Sequence, residues 1–157
     1  MTITTRPATE HDLDAVAVLF DAYRQFYEQA PDLALARAFT GERFARGEST
    51  LLVAQDAAGA MLGFTQLYPS FCSVIAAPIA VLYDLFVVPS ARGTGAGRAL
   101  LLAAERFALD NGFARMDLTT ARTNTRAQAV YAALGWERDE IFYAYNKVPQ
   151  ARAQETA

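Results

Sequence analysis

Apolar positions along the N-terminal third recur at intervals of three and four. Leu13, Val16, Ala17, Phe20, Tyr23 and Tyr27 fall on one face of a helix, and Pro31-Asp32 ends it. Thr9-Glu10-His11-Asp12 resembles a capping box ahead of that helix, with Asp12 in the place of the usual Glu or Gln. A short β-prone stretch, Ile3 to Arg6, precedes it, and a weaker helical pattern runs from Leu33 to Arg46 before Gly47. The pattern then changes. Thr50 to Gln55 and Met61 to Tyr68 read as strands around the turn Asp56-Ala57-Ala58-Gly59, and Ile79 to Val88 is an almost unbroken apolar run. Such a run suits a strand covered on both faces. Helices are predicted from Gly97 to Asp110 and from Thr125 to Leu134, with a strand from Arg115 to Thr120 between them and a last strand from Ile141 to Lys147. The order β-α-α-β-β-β-α-β-α-β predicts an α/β (α+β) fold with helices on both faces of a mixed sheet.

No charge occurs between Asp56 and Asp84, which raises the question of a membrane span. Such a span needs about 20 mostly apolar residues in a row. Gly59, Gly63, Gln66, Pro69, Ser70, Ser73 and Pro78 interrupt this one, so buried strands are the reading. No signal peptide is recognisable at Met1 to Arg6. A length of 157 residues suits a single domain, read as 1–148, with 149–157 a flexible tail. The 53% hydrophobic content allows a substantial core. A net charge of −3 without a basic run gives no reason to expect nucleic acid as a partner. Cys72 is the only cysteine, which leaves no internal disulfide or multi-cysteine metal site and fits a reducing cytoplasm.

The segment Val87-Val88-Pro89-Ser90-Ala91-Arg92-Gly93-Thr94-Gly95-Ala96-Gly97-Arg98 carries the most chemistry. A buried strand enters a glycine-rich turn that opens into a helix, where free amides and the helix dipole favour a phosphate. A Walker A loop would need a lysine after the glycines, and none is there. The dinucleotide pattern G-x-G-x-x-G/A fails in both registers, ending on Arg98 or Leu100. The pattern [QR]-x-x-G-x-[GA] is met from Arg92 to Gly97, although a turn needed only for tight strand–helix packing would look similar.

Downstream, Asn124, Ala127, Tyr131, Gly135 and Trp136 form N-x-x-A-x-x-x-Y-x-x-x-G-W, and the first three share a helical face. The two motifs together, from Val81 to Trp136, resemble the GNAT superfamily of acyl-CoA-dependent N-acyltransferases. The resemblance implies a GNAT fold, with a mixed sheet of six to seven strands that splays between the fourth and fifth. It implies acetyl-CoA as co-substrate, without a metal, and a primary amine of a small molecule as acceptor. By the same resemblance Phe86, Val87 and Val88 would lie along pantetheine, and Arg92, Gly93, Thr94, Gly95, Ala96, Gly97 and Arg98 would hold the pyrophosphate. Asn124 would bond the cofactor, and Tyr131 would reach its sulfur.

That chemistry suits the residue types. An amine attacks a thioester only when neutral, and a lysine-like amine has a pKa near ~10.4. A base or a pKa-shifting site is therefore required. The oxyanion needs fixed donors, for which backbone amides of a splayed strand are suited, and the leaving thiolate needs a proton. Asp84 is the one charge within the fourth strand and is a candidate base or acceptor-binding residue; pairing with an arginine is the structural alternative. In diamine acetyltransferases the corresponding stretch resembles E-D-[LF]-F-V, whereas Tyr83 here replaces the glutamate.

Phe26 and Tyr27 are candidates to line the acceptor site, against a plain core-edge role. Asn124 is also placed to cap its helix, and Tyr131 to pack its ring under the sheet. Two further readings of the chain stand beside the small-molecule enzyme: a non-catalytic acyl-CoA-binding domain and a protein or peptide acetyltransferase. A homodimer is common in the family, and Ile141, Phe142, Tyr143 and Tyr145 offer an aromatic strand for one.

Overall fold

The computed structural model describes residues 1–151, so 152–157 of the expected tail lie outside the described residues. The chain divides into two units, 1–119 and 120–157. The first contains β1 (Thr4–Pro7), α1 (Leu13–Phe26), α2 (Leu33–Ala45), β2 (Thr50–Gln55), β3 (Met61–Cys72), β4 (Ala77–Val87), α3 (Ala96–Asp110) and β5 (Met116–Asp117). Its five strands stand in the order β1-β2-β3-β4-β5. All neighbours are antiparallel except β4 and β5, which are parallel. The sheet is thus mixed, as expected, but has five strands among the described residues rather than six or seven.

Alternation along the strands divides the core into two layers. Leu51 and Val53 of β2, Phe64 of β3 and Phe86 of β4 pack with Leu13, Val16, Leu19 and Phe20 of α1 and Ala36 of α2. Leu52 and Ala54 are also buried, and by the two-residue period they face the opposite side, where α3 contacts β2, β3 and β4. Burying each such large side chain contributes ~1.5–3 kcal/mol. Ahead of α1 the Asp12 carboxylate accepts a bond from the Thr9 amide (2.7 Å), the expected capping contact. It also takes two bonds from the Arg6 guanidinium, at 2.7 and 3.0 Å, which ties the end of β1 to the helix entry. No helix among the described residues is long and apolar enough to cross a membrane.

Two strand expectations required extension or trimming. β3 continues to Cys72, four residues beyond Tyr68, because β4 pairs with it as far as Cys72↔Ala77. Pro69 is tolerated there because β2 pairs with β3 only up to Leu67, so its missing N–H leaves no ladder bond unmade. β5 is shorter than Arg115 to Thr120: only Met116 and Asp117 pair, opposite Ala80 and Val81. Beyond Val81 the remainder of β4 has no partner on the β5 side among the described residues. This is the splay.

The second unit contains α4 (Thr125–Ala133). The Asn124 carboxamide oxygen caps it by accepting from the Ala127 amide at 3.2 Å. Gly135 (φ 88°) ends the helix, and the Trp136 amide bonds back to the Tyr131 carbonyl at 3.0 Å. The expected last strand, Ile141 to Lys147, is absent: these residues are irregular and exposed. The Asp139 carboxylate accepts from the amides of Ile141 (2.7 Å) and Phe142 (3.1 Å) in a local turn. β-prone side chains alone do not make a strand when no neighbour pairs with it.

Candidate active site

β4 carries the site because of two irregularities. The first is a bulge. Gln66 pairs with Asp84 and Leu67 with Leu82, so Tyr83 is an extra residue without an opposite number on β3. Tyr83 stands 64% exposed, while its neighbour Asp84 is only 3% exposed. The second is the splay, which leaves the β5-side edge of the strand unpaired beyond Val81.

Asp84 makes no ion pair among the described residues, so the arginine alternative does not hold. Its Oδ2 accepts from Gln66 Nε2 at 2.5 Å. Burial pushes its carboxyl up to about 6, while hydrogen bonds from Gln66 and Tyr23 pull in the opposite direction. The Tyr23 hydroxyl donates to the Tyr83 carbonyl at 3.1 Å, with the carboxylate as a neighbouring acceptor. Burial and the Asp84 charge hold the Tyr23 and Tyr68 hydroxyls well above the ordinary tyrosine value, so both stay protonated.

Asp84 lines a cavity of about 300 Å³, walled by Phe20, Tyr23, Phe39, Tyr68 and Tyr83, with Arg24 as its other charged residue. The rings are fixed by mutual contacts. Phe20 stacks on Phe39 (5.6 Å between centroids), and Tyr68 meets Tyr83 edge-on at 5.6 Å. Phe26 and Tyr27 do not line this cavity. Tyr27 packs edge-on against Tyr23, and the Phe26 ring lies 5.9 Å from the Arg92 guanidinium carbon. The rings that border the cavity come from Phe20, Tyr23, Phe39, Tyr68 and Tyr83 instead. Helical spacing predicts which side of α1 is apolar; it does not predict which rings border a hole opened by a bulge in β4.

At the end of β4 the Val88 amide bonds to the Leu62 carbonyl (2.9 Å), and Pro89–Ala91 form a single 3₁₀ turn. Gly93 (φ 80°) and Gly95 (φ 94°) take left-handed conformations that β-carbon-bearing residues rarely adopt. Gly95 is the N-cap of α3, and the first amide to bond back is that of Ala99, to the Gly95 carbonyl at 2.9 Å. The amides of Ala96, Gly97 and Arg98 therefore lack acceptors within the helix. A β-carbon built on Gly95 would meet nothing within 4 Å, so the space beside this glycine is open. This cradle fits a diphosphate. Arg92 borders it, with Nε donating to the Val87 carbonyl at 3.2 Å and its guanidinium carbon 5.7 Å from the Phe86 ring. The Phe86 side chain belongs to the core, so only its backbone is available to a ligand.

A bulged, splayed strand that runs into a glycine-rich helix N-terminus is a specific combination. The profile of the acetyltransferase (GNAT) family matches residues 14–136. The chain belongs to the GNAT acetyltransferase family. This acyl-CoA-dependent enzyme is 46% identical over 140 residues to the uncharacterized N-acetyltransferase YhfO of Bacillus subtilis, covering 89% of this chain and 93% of that one. It is also similar to the crystal structure of a probable acetyltransferase, with a TM-score of 0.86 and 33% identity over 97% of this chain and all (100%) of the other. A third similarity is to the aminoglycoside N-acetyltransferase AAC(6')-Iy, solved with the bisubstrate analogue CoA-S-monomethyl-acetylneamine. There the TM-score is 0.77 and the identity 25%, over 95% of this chain and 100% of the other.

In the acetyltransferase's second unit, Tyr131 is half-buried, with its ring 6.1 Å from that of Trp136. Asn124, the N-cap, and Ala127 and Tyr131 of α4 are each half-buried, as are Gln128 and Val130. The signal for Gln66, which was missed, lay in the chain all along. It is an amide in the long charge-free segment that precedes Asp84, where a buried polar group demands partners.

Proposed function

We propose that this enzyme transfers the acetyl group of acetyl-CoA to a primary amine of a small molecule. The observation that carries this reading is the buried Asp84 carboxylate, lining an aromatic cavity where β4 bulges. Similarity to AAC(6')-Iy, solved with an analogue that joins CoA to acetylneamine, supports a small amine as acceptor.

Acetyl-CoA supplies the thioester carbonyl. The amides of Ala96, Gly97 and Arg98 hold its diphosphate, with Arg92 beside them, and the unpaired edge of β4 from Phe86 to Val88 accompanies pantetheine. Asp84 attracts the ammonium of the acceptor, and the rings of Tyr23, Tyr68 and Tyr83 add cation–π attraction of ~0.5–2 kcal/mol. With a carboxyl pKa of about 6, Asp84 is ionised at neutral pH and serves as the base that receives the amine proton. As the new C–N bond forms and the C–S bond breaks, Tyr131 donates a proton to the departing sulfur; this role and that of Asn124 follow from the motif they share. A single carboxylate suits one charged nitrogen better than a long polyamine.

The test is acetyl-CoA-dependent release of free thiol with a panel of amino acids, short diamines, polyamines, aminoglycosides and peptide N-termini. Turnover of small amines, with an acceptor KM that rises in Asp84→Asn, is the expected result. Turnover of peptide N-termini alone overturns it.

A further inference from the structure

Gln66 is fully buried in β3, an uncommon place for a carboxamide, and both of its ends are satisfied. Nε2 donates to Asp84 Oδ2 at 2.5 Å, and Oε1 accepts from Ser49 Oγ at 2.8 Å. The three residues thus form one chain of hydrogen bonds, from the residue before β2 across β3 to β4. We propose that Gln66, oriented by Ser49, is a positioning residue that sets the orientation and ionisation of Asp84.

This inference rests on the acceptor reading above and deepens it. An ionised carboxylate only accepts hydrogen bonds, so the amide must turn its NH2 towards Asp84. A protonated Asp84 needs an acceptor instead. The same amide meets that need by flipping, because the Ser49 hydroxyl can donate to its oxygen or accept from its nitrogen. Both protonation states of Asp84 are then satisfied in a place where an unpaired polar group would be costly. A leucine at position 66 would satisfy neither. The Gln66–Asp84 bond also belongs to the pairing that flanks the bulge, so the carboxylate is held at the register position next to the exposed Tyr83. The other charged or titratable groups on the cavity are Tyr23 and Arg24 from α1, Tyr68 from β3 and Tyr83 from β4. Arg24 is engaged by Asp21 at 3.0 Å, and Tyr23 by the Tyr83 carbonyl. Gln66 donates to Asp84 at 2.5 Å, and the Tyr23 hydroxyl, shared with the Tyr83 carbonyl, is the neighbouring donor.

The experiment is a ¹³C carboxyl NMR titration of Asp84 in the full-length protein, for wild type, Gln66→Leu and Ser49→Ala. It is paired with the pH profile of kcat/KM for the best amine of the panel. The midpoint should rise by ~1 pH unit or more in Gln66→Leu. It should rise by less in Ser49→Ala, and the acidic limb of the rate profile should move with it. An unchanged Asp84 midpoint in folded Gln66→Leu overturns the inference. Should that variant not fold, Ser49→Ala, at the part-buried end of the chain, decides in the same way. A midpoint that moves while the rate profile does not would uphold the positioning role and refute Asp84 as the acceptor's carboxylate.

Discussion

The Tyr23 hydroxyl of α1 donates a 3.1 Å hydrogen bond to the carbonyl of Tyr83, the bulged residue of β4. A helix of the N-terminal half thereby pins the irregularity beside the cavity that Asp84 lines. Tyr23→Phe keeps the ring and removes the hydroxyl, and with it both this bond and the donor beside Asp84. The expected loss of stability is about 1 kcal/mol, read from chemical denaturation. The acceptor KM should rise while acetyl-CoA affinity stays the same, and loss of the Tyr23 hydrogen bond should raise the Asp84 pKa further.

Asp84 gives stability a defined pH dependence. Its folded pKa of about 6 lies above the ordinary value of 3.8. Its contribution is therefore fully present below about pH 4 and is lost as pH rises through about 6. Asp84→Asn has no such loss. Measured against wild type, its relative stability should improve on the order of 2–3 kcal/mol between pH 4 and pH 7.5, as the two-unit shift implies. In the same variant the acidic limb of the rate profile near pH 6 should disappear. A difference between the two proteins that is flat with pH would show that Asp84 titrates normally.

Gly95 tests the phosphate cradle. At φ 94° a β-carbon is strained, and a carboxylate there would face a diphosphate. Gly95→Glu should abolish acetyl-CoA binding by calorimetry. Gly95→Asn, which tolerates the left-handed region and carries no charge, should retain part of it. Equal affinities in the two folded variants would remove the loop from the binding site.

Tyr131→Phe separates proton donation from ring packing. The ring contact with Trp136 is kept, so acetyl-CoA binding should survive. Turnover should fall by about 10²-fold or more. A variant with wild-type turnover would assign the leaving-group proton to water or another residue.

The chain alone determined those features that depend on near neighbours in sequence. The apolar stripe from Leu13 to Phe20, the glycines before α3, the Asn124 cap and the strands around Asp56 were all legible. Each follows from local periodicity, backbone preference or capping, which act within a few residues. The two motifs, taken together, were enough for the family. Tertiary structure decided everything that depends on how one strand meets another. The register of β3 on β4 creates the bulge at Tyr83, places Gln66 opposite Asp84 and sets Tyr68 against Tyr83. Register is a relation between segments, so a periodic pattern in either strand does not contain it. The same reason explains the two strand errors. Residues 118–120 have strand composition, but β4 has already lost its pairing on that side, and Ile141 to Lys147 have it too, yet pair with no strand among the described residues. The carboxylate in β4 could be singled out from the chain, but only the fold supplied its partners.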